Sequence, residues 1–198
     1  MNSFNKVFEK FALFFLFIFP LCLLVGYDYS FVTYDSESDY IAAAFHINEF
    51  GLPFSSHHPG TVTQYLVSIP FILGNFLNFS FNISIILARF IELAALAGLI
   101  LYGINLMIGS NTKHKFFCYS LVWLLIFLYP SSSVLFKYIS AEILLFGISF
   151  LTSAIWYKHL ITQKNCALIG FVIAVGLNIK PTYIFLLIVL SSFHILKY

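Results

Sequence analysis

"TVTQYLVSIPFILGNFLNFSFNIS", residues 61–84, is apolar enough to pass for a membrane span and too polar to be bathed in lipid on every side. Its apolar run, residues 62–81, holds Gln64, Ser68, Pro70, Gly74, Asn75, Asn78 and Ser80. Such a helix fits the headgroup zone, lying along the interface or dipping in and returning. The alternative is an ordinary span whose polar residues face neighbouring helices. The choice fixes which loops share a side of the membrane.

The rest of the chain is more uniformly apolar. Phe supplies 25 of 198 residues, 61% of the chain is hydrophobic and 9% is charged. A water-soluble domain of this composition has too little polar surface to clothe itself, so an integral membrane protein is expected. Further apolar runs occupy residues 11–26, 83–108, 116–129, 139–157, 166–179 and 182–196. Several fall short of the roughly 20 residues that a perpendicular helix needs to cross the hydrocarbon. The first run follows Lys6 and Lys10 like a signal peptide, but no small-residue cleavage site follows it, and it reads as an uncleaved span.

Positive charge distinguishes the two arrangements. With seven crossings and the N-terminus inside, Lys6, Lys10, Arg89, Lys137 and Lys180 lie inside against Lys113, Lys115, Lys158, Lys164 and Lys197 outside, and no asymmetry results. With residues 62–81 kept at the outer interface, six runs cross. Lys6, Lys10, Lys113, Lys115, Lys158, Lys164 and Lys197 are then inside, and Arg89, Lys137 and Lys180 outside, seven against three. The expected fold class is therefore an all-α membrane protein with about six transmembrane helices plus outer-face juxtamembrane helices. It forms one polytopic domain over residues 1–198: a first span at 11–26, an outer loop at 27–82 and five further spans within 83–198. The expected localisation is a multi-pass integral protein of a bacterial inner or plasma membrane with a cytoplasmic N-terminus.

In that arrangement the acids gather on one side. Asp28, Asp35, Glu37, Asp39, Glu49, Glu92 and Glu142 fall outside, and only Glu9 inside. The stretch "DYIAAAFHINEF" predicts a short helix over residues 39–50, favoured by three consecutive alanines and stopped by Gly51 and Pro53. If that helix starts nearer Asp35, Asp35 and Asp39 stand at i and i+4 on one face while Glu37 points roughly opposite. Two carboxylates facing one way can share a divalent cation, or one can act as a base that the other orients. A solvated acidic loop that merely obeys the positive-inside bias is the plainer reading.

Other chemistry is excluded or weak. The net charge of +2 and the lack of a basic, aromatic-interleaved patch speak against a nucleic-acid partner. Cys22, Cys118 and Cys166 lie in or beside apolar runs and act as small hydrophobes. No Gly-rich phosphate loop or nucleophile elbow is present. His57 and His58 are neighbours in a loop without a third ligand at helical spacing, which is weak evidence for zinc. Arg89 and Glu92, at i and i+3, could be a structural ion pair. Glu142 inside a span is costly unless it faces protein or water. Lys180 could simply snorkel from a helix end.

The order acid-x-x-x-acid-Tyr-x-x-Ala (from Asp35), then "NEFGLPF", then "HHPGT", resembles the first outer loop of GT-C superfamily glycosyltransferases. The likeness is nearest to the branch of protein mannosyltransferases, aminoarabinose transferases and rhizobial lipopolysaccharide sugar transferases. Ala88-Arg89-Phe90 is similar to the start of that family's next span. "YPSSSVLFKYISAEILLFGISFL" resembles its second outer loop, and "GFVIAVGLNIKPTYIFLLIVL" its Lys-Pro turn between two short spans. Here Asp35-Ser36-Glu37 and His58-Pro59-Gly60 replace the commoner Asp-Glu and His-Pro-Pro, which leaves open which carboxylate is the base. Family members run to more than twice this length, so the chain is expected to be an N-terminal membrane portion.

The resemblance implies transfer of a sugar from a polyprenyl-phosphate-linked donor to a glycan, lipid or protein acceptor on the outer face, among membrane lipids. It implies a catalytic carboxylate, Asp35 first, then Asp39 and Glu37. Lys180, with Arg89, His57, His58 and Glu142, would bind substrate. A divalent cation is an open cofactor. A small transporter, flippase or assembly subunit without chemistry is the competing class, and would place its ionisable groups near the bilayer midplane.

Overall fold

A computed structural model describes residues 35–52, 61–108, 117–118, 120–122, 139–159 and 166–197. Among them every regular element is helical. The elements are α1 (Asp35–Phe50), α2 (Thr61–Leu77), α3 (Phe81–Ile108), α4 (Ala141–His159), α5 (Cys166–Ile179), a 3-10 turn (Pro181–Tyr183) and α6 (Ile184–Lys197). The expected first span, His57, His58 and most of the 116–129 run lie outside the described residues. Among the described residues two helices are long and apolar enough to cross a membrane: α3 over its whole length and α4 over Ala141–Lys158. The apolar helices α2, α5 and α6 are shorter.

Helix α1 starts four residues earlier than the alanine run predicts, so Asp35 and Asp39 stand four residues apart in one helix. It buries Tyr40, Ala43, Ala44 and Ile47, the i, i+3, i+4, i+7 stripe of an amphipathic helix. Gly51 ends it as the sequence indicates. Its φ of +74° is the left-handed conformation that glycine adopts without strain, and its N–H donates to Ile47 O at 2.8 Å. Nδ1 of His46 donates to Leu52 O at 2.6 Å and fastens the exit.

The decisive run, residues 62–81, is not one helix. It breaks at Asn78, whose φ is +57°. Phe79 N–H donates to Gly74 O at 2.9 Å, closing the six-residue cap that a left-handed residue permits. Ser80 then caps α3, its Oγ accepting from Ile83 N–H at 3.4 Å. The resulting α2–α3 hairpin is tied to α1 by the rings of Phe45, Phe71 and Phe81, with centroids 5.3 to 6.0 Å apart.

Helices α3 and α4 pack side by side and parallel. Level by level, Glu92 meets Ser140, Leu96 and Leu99 meet Gly147, and Gly103 meets Phe150 and Ala154. Glycines on both helices let the backbones approach. The first eleven residues of α3, about 17 Å of helix, project past the start of α4 and pack against α2. Helix α5 runs back along α4 to Lys180, whose extended backbone (φ −156°) ends the helix before Pro181. Tyr183 then turns its ring against Gly176 and bonds to Thr152 of α4 in the core.

Candidate functional site

The polar side chains of the bundle gather where α4 begins. The first turn of any helix leaves N–H groups without intrahelical partners and carries a partial positive charge. At α4 these donors are met by side chains from other helices. Ser140 N–H donates to Oε2 of Glu92, on α3, at 3.3 Å. Ala141 N–H donates to the phenol oxygen of Tyr40, on α1. Glu142, in the same turn, pairs with Nζ of Lys180. Four elements thus meet at one end of the bundle.

Burial divides the members of this cluster. Glu92 is 0% exposed and Arg89, one turn earlier on α3, is 8% exposed. Such groups cost much to bury unless hydrogen-bonded or paired. Glu142 and Lys180 are less enclosed, with side chains 43% and 32% exposed. That pair is therefore the part of the cluster that an incoming molecule can reach. Tyr40 lies beneath it, 4% exposed. Burial first, then the negative potential of Glu142 and Glu92 and to a lesser degree Asp39, push its phenol well above the ordinary tyrosine value; the Ala141 N–H opposes the shift.

Of the residues expected from sequence, Glu142 and Lys180 are brought into contact, and Arg89 lies on the buried face of α3 that also carries Glu92. Asp39 is half-buried on α1, next to Tyr40. Asp35 and Glu37 occupy the first turn of the same helix. His57 and His58 lie outside the described residues. Among the described residues no three of His, Cys, Asp and Glu are grouped so as to hold a metal ion.

Sequence reasoning missed Tyr40 and Ser140 as members of the cluster. Tyr40 had a signal, since it follows Asp39 directly and shares the helix stripe of Ala43, Ala44 and Ile47. Ser140 had none: its partner is 48 residues away. Of the polar residues that suggest a headgroup zone, Gln64 and Ser68 are buried in the protein, together with Thr63, whereas Asn75, Asn78 and Ser80 are exposed. No family model, curated protein or solved structure matches this chain.

Proposed function

We propose that the chain is the membrane portion of a GT-C-type glycosyltransferase that moves a sugar from a polyprenyl-phosphate donor to an acceptor at the outer face of the membrane. The observation that carries this reading is the meeting of the acidic helix α1 with the Lys180 turn. Tyr40 of α1 accepts from Ala141, and the next residue, Glu142, holds Lys180. Acid-bearing loop and cation therefore share one end of the bundle.

That meeting also favours six crossings over seven. With seven, the segment after the first span and the Lys180 turn would sit on opposite sides of the bilayer. The parallel packing of α3 and α4 fits either count, since a chain that crosses in the same direction twice must return between them, where the apolar run 116–129 lies. The surface supports membrane residence: Phe171, Phe185, Ile188 and Val189 on α5 and α6 are all at least half exposed. An apolar face of that kind marks an interaction or membrane surface.

The chemistry follows from the residue types. An acceptor hydroxyl is a weak nucleophile, and a carboxylate on α1, Asp35 first and Asp39 next, takes its proton as oxygen bonds to the anomeric carbon. The bond from that carbon to the phosphate oxygen breaks, and the electron pair leaves with the lipid phosphate. Lys180 meets the charge that grows there, held in place by Glu142, with Arg89 behind it. Asp35→Asn should abolish transfer in membranes supplied with lipid-linked sugar while leaving insertion intact. Normal turnover in that variant would remove Asp35 from the role.

A further inference from the structure

Helix α1 packs chiefly on α2, and Tyr40 carries it on to α4. Its buried stripe is Tyr40, Ala43, Ala44 and Ile47, and two of those four side chains are single methyl groups. Apolar contact is non-directional, and alanines give a neighbour little to interlock with. The stripe therefore decides which side of α1 faces inward, but not at what angle. Phe45, 41% exposed, leans on the rings of Phe71 and Phe81, contacts that hold α1 to the α2–α3 hairpin rather than to the Lys180 turn. At α4 the phenol oxygen of Tyr40 accepts from the Ala141 N–H, and the two residues are buried, 4% and 2% exposed. A hydrogen bond prefers a near-linear approach, which supplies the angle that the alanines do not.

The partner is itself fixed. Ala141 stands in the first turn of α4 between Ser140, whose N–H is held by Glu92, and Glu142, which pairs with Lys180. On α1, Asp39 and Asp35 lie about 100° and 140° around the axis from Tyr40. The Tyr40 bond thus relates the carboxylates of one helix to the cation beyond another. We propose that Tyr40 is a positioning residue, whose bond to Ala141 sets the rotational register of α1 and so the placement of Asp35 and Asp39 relative to Lys180. Without that bond, a rotation of α1 by roughly 30° carries a side-chain end about 5–6 Å from the axis through about 3 Å. A misplacement of about 1 Å already costs a reaction roughly 100-fold.

The catalytic side of this role rests on the transferase reading, whereas the register does not, and the two are measured separately. The test uses the full chain in proteoliposomes, with Cys22, Cys118 and Cys166 replaced by alanine and spin labels at Ser38→Cys on α1 and Phe171→Cys on α5, both exposed positions. Tyr40→Phe keeps the ring and removes the oxygen. Ile47→Ala, on the same stripe, removes packing and leaves the bond. Tyr40→Phe should shift or widen the spin-label distance by about 3 Å, and Ile47→Ala should leave it as it was. With polyprenyl-phosphate mannose as the donor probe, Tyr40→Phe should lower kcat roughly 100-fold with the donor KM within about twofold, because Lys180 has not moved. Ile47→Ala should keep the rate of the unaltered chain.

An unchanged distance in Tyr40→Phe would overturn the inference whatever the rate. An equal change in Ile47→Ala would overturn it too, since general loosening would then explain both. A shifted distance with unaltered kcat would end the positioning role and leave the transferase reading standing. Absence of transfer by the unaltered chain would count against that reading alone, and the spin-label distances would still decide the register.

Discussion

Tyr40 and Glu92, on different helices, play the same part: their oxygens accept the N–H groups of Ala141 and Ser140 and so cap α4 from outside its own sequence. Helices usually cap themselves with a local side chain. Here the cap is built by tertiary contact, and it locks α1 and α3 to the turn that presents Glu142. The positive end of α4 also favours the nearby carboxylates.

Glu92→Ala should therefore cost more than the lost carboxylate volume suggests. It leaves the Ser140 N–H without its acceptor in a buried place, a penalty of about 1–3 kcal/mol. Glu92→Gln keeps an oxygen at that position and should cost less. Equilibrium unfolding in mixed micelles orders the two variants, and an equal loss from both would show that charge, not capping, is what Glu92 supplies.

Tyr40 gives stability a dependence on alkaline pH. Its folded-state pKa is raised, so below the ordinary tyrosine value near 10 the phenol is neutral in both states and its contribution is fully present. Above that value the unfolded chain gives up the proton while the folded chain holds it. Stability then falls as pH rises toward the raised value. Phenolate absorbance in an alkaline titration should contain a late component that Tyr40→Phe removes.

How far the sequence discloses this cluster depends on whether the cause is local. The Gly51 stop, the Lys180-Pro181 break and the extent of α5 rest on conformational rules that act over a few residues, and they are readable. The sharing of one end by the Glu142 and Lys180 segments follows from the two apolar runs, 139–157 and 166–179, that carry the chain away and back between them. Glu92 and Ser140 are different. Their bond exists only because α3 and α4 lie parallel at a fixed level, which small residues on both helices set and no periodicity encodes. The inward turn of Thr63, Gln64 and Ser68 was hidden for a related reason. Where a helix lies in lipid, as the six-crossing arrangement proposes for α2, polar positions mark its protein side and the soluble-protein reading of its faces inverts.

If the chain is the proposed transferase, the Lys180–Glu142 pair should matter more to catalysis than to stability. Both side chains are only part-buried and reach solvent, so a double-mutant cycle should give a coupling of about 1 kcal/mol. If Lys180 supports the departing phosphate, Lys180→Ala should lower the transfer rate by roughly 100-fold or more, the usual effect of removing one charge-stabilising donor. Lys180→Arg, which keeps the cation, should retain most of the rate. Comparing kcat for the two variants in proteoliposomes separates loss of charge from loss of packing.

Four glycines provide a graded test of the close packing that aligns the site. A methyl group at Gly176 would come within 2.5 Å of the Tyr183 ring, which is buried and bonded to Thr152. At Gly103 it would meet the Phe150 ring at 2.9 Å, and at Gly147 it would meet the ends of Leu99 and Leu96 at 2.9 and 3.2 Å. Nothing lies within 4 Å of a methyl group at Gly98. A planar ring held on its far side yields less than a leucine tip. Gly176→Ala should thus be the most destabilising, by about 1–3 kcal/mol, with Gly103→Ala next and Gly147→Ala mild. Gly98→Ala should be neutral or stabilise by up to about 1 kcal/mol, because alanine is the better helix former and meets no obstacle. Thermal melts in detergent rank the series. If Lys180 acts in the proposed transfer, Gly176→Ala should also reduce its rate, since moving Tyr183 shifts the turn that carries Lys180. A stable Gly176→Ala variant with full activity would show that the Lys180 turn does not depend on this contact.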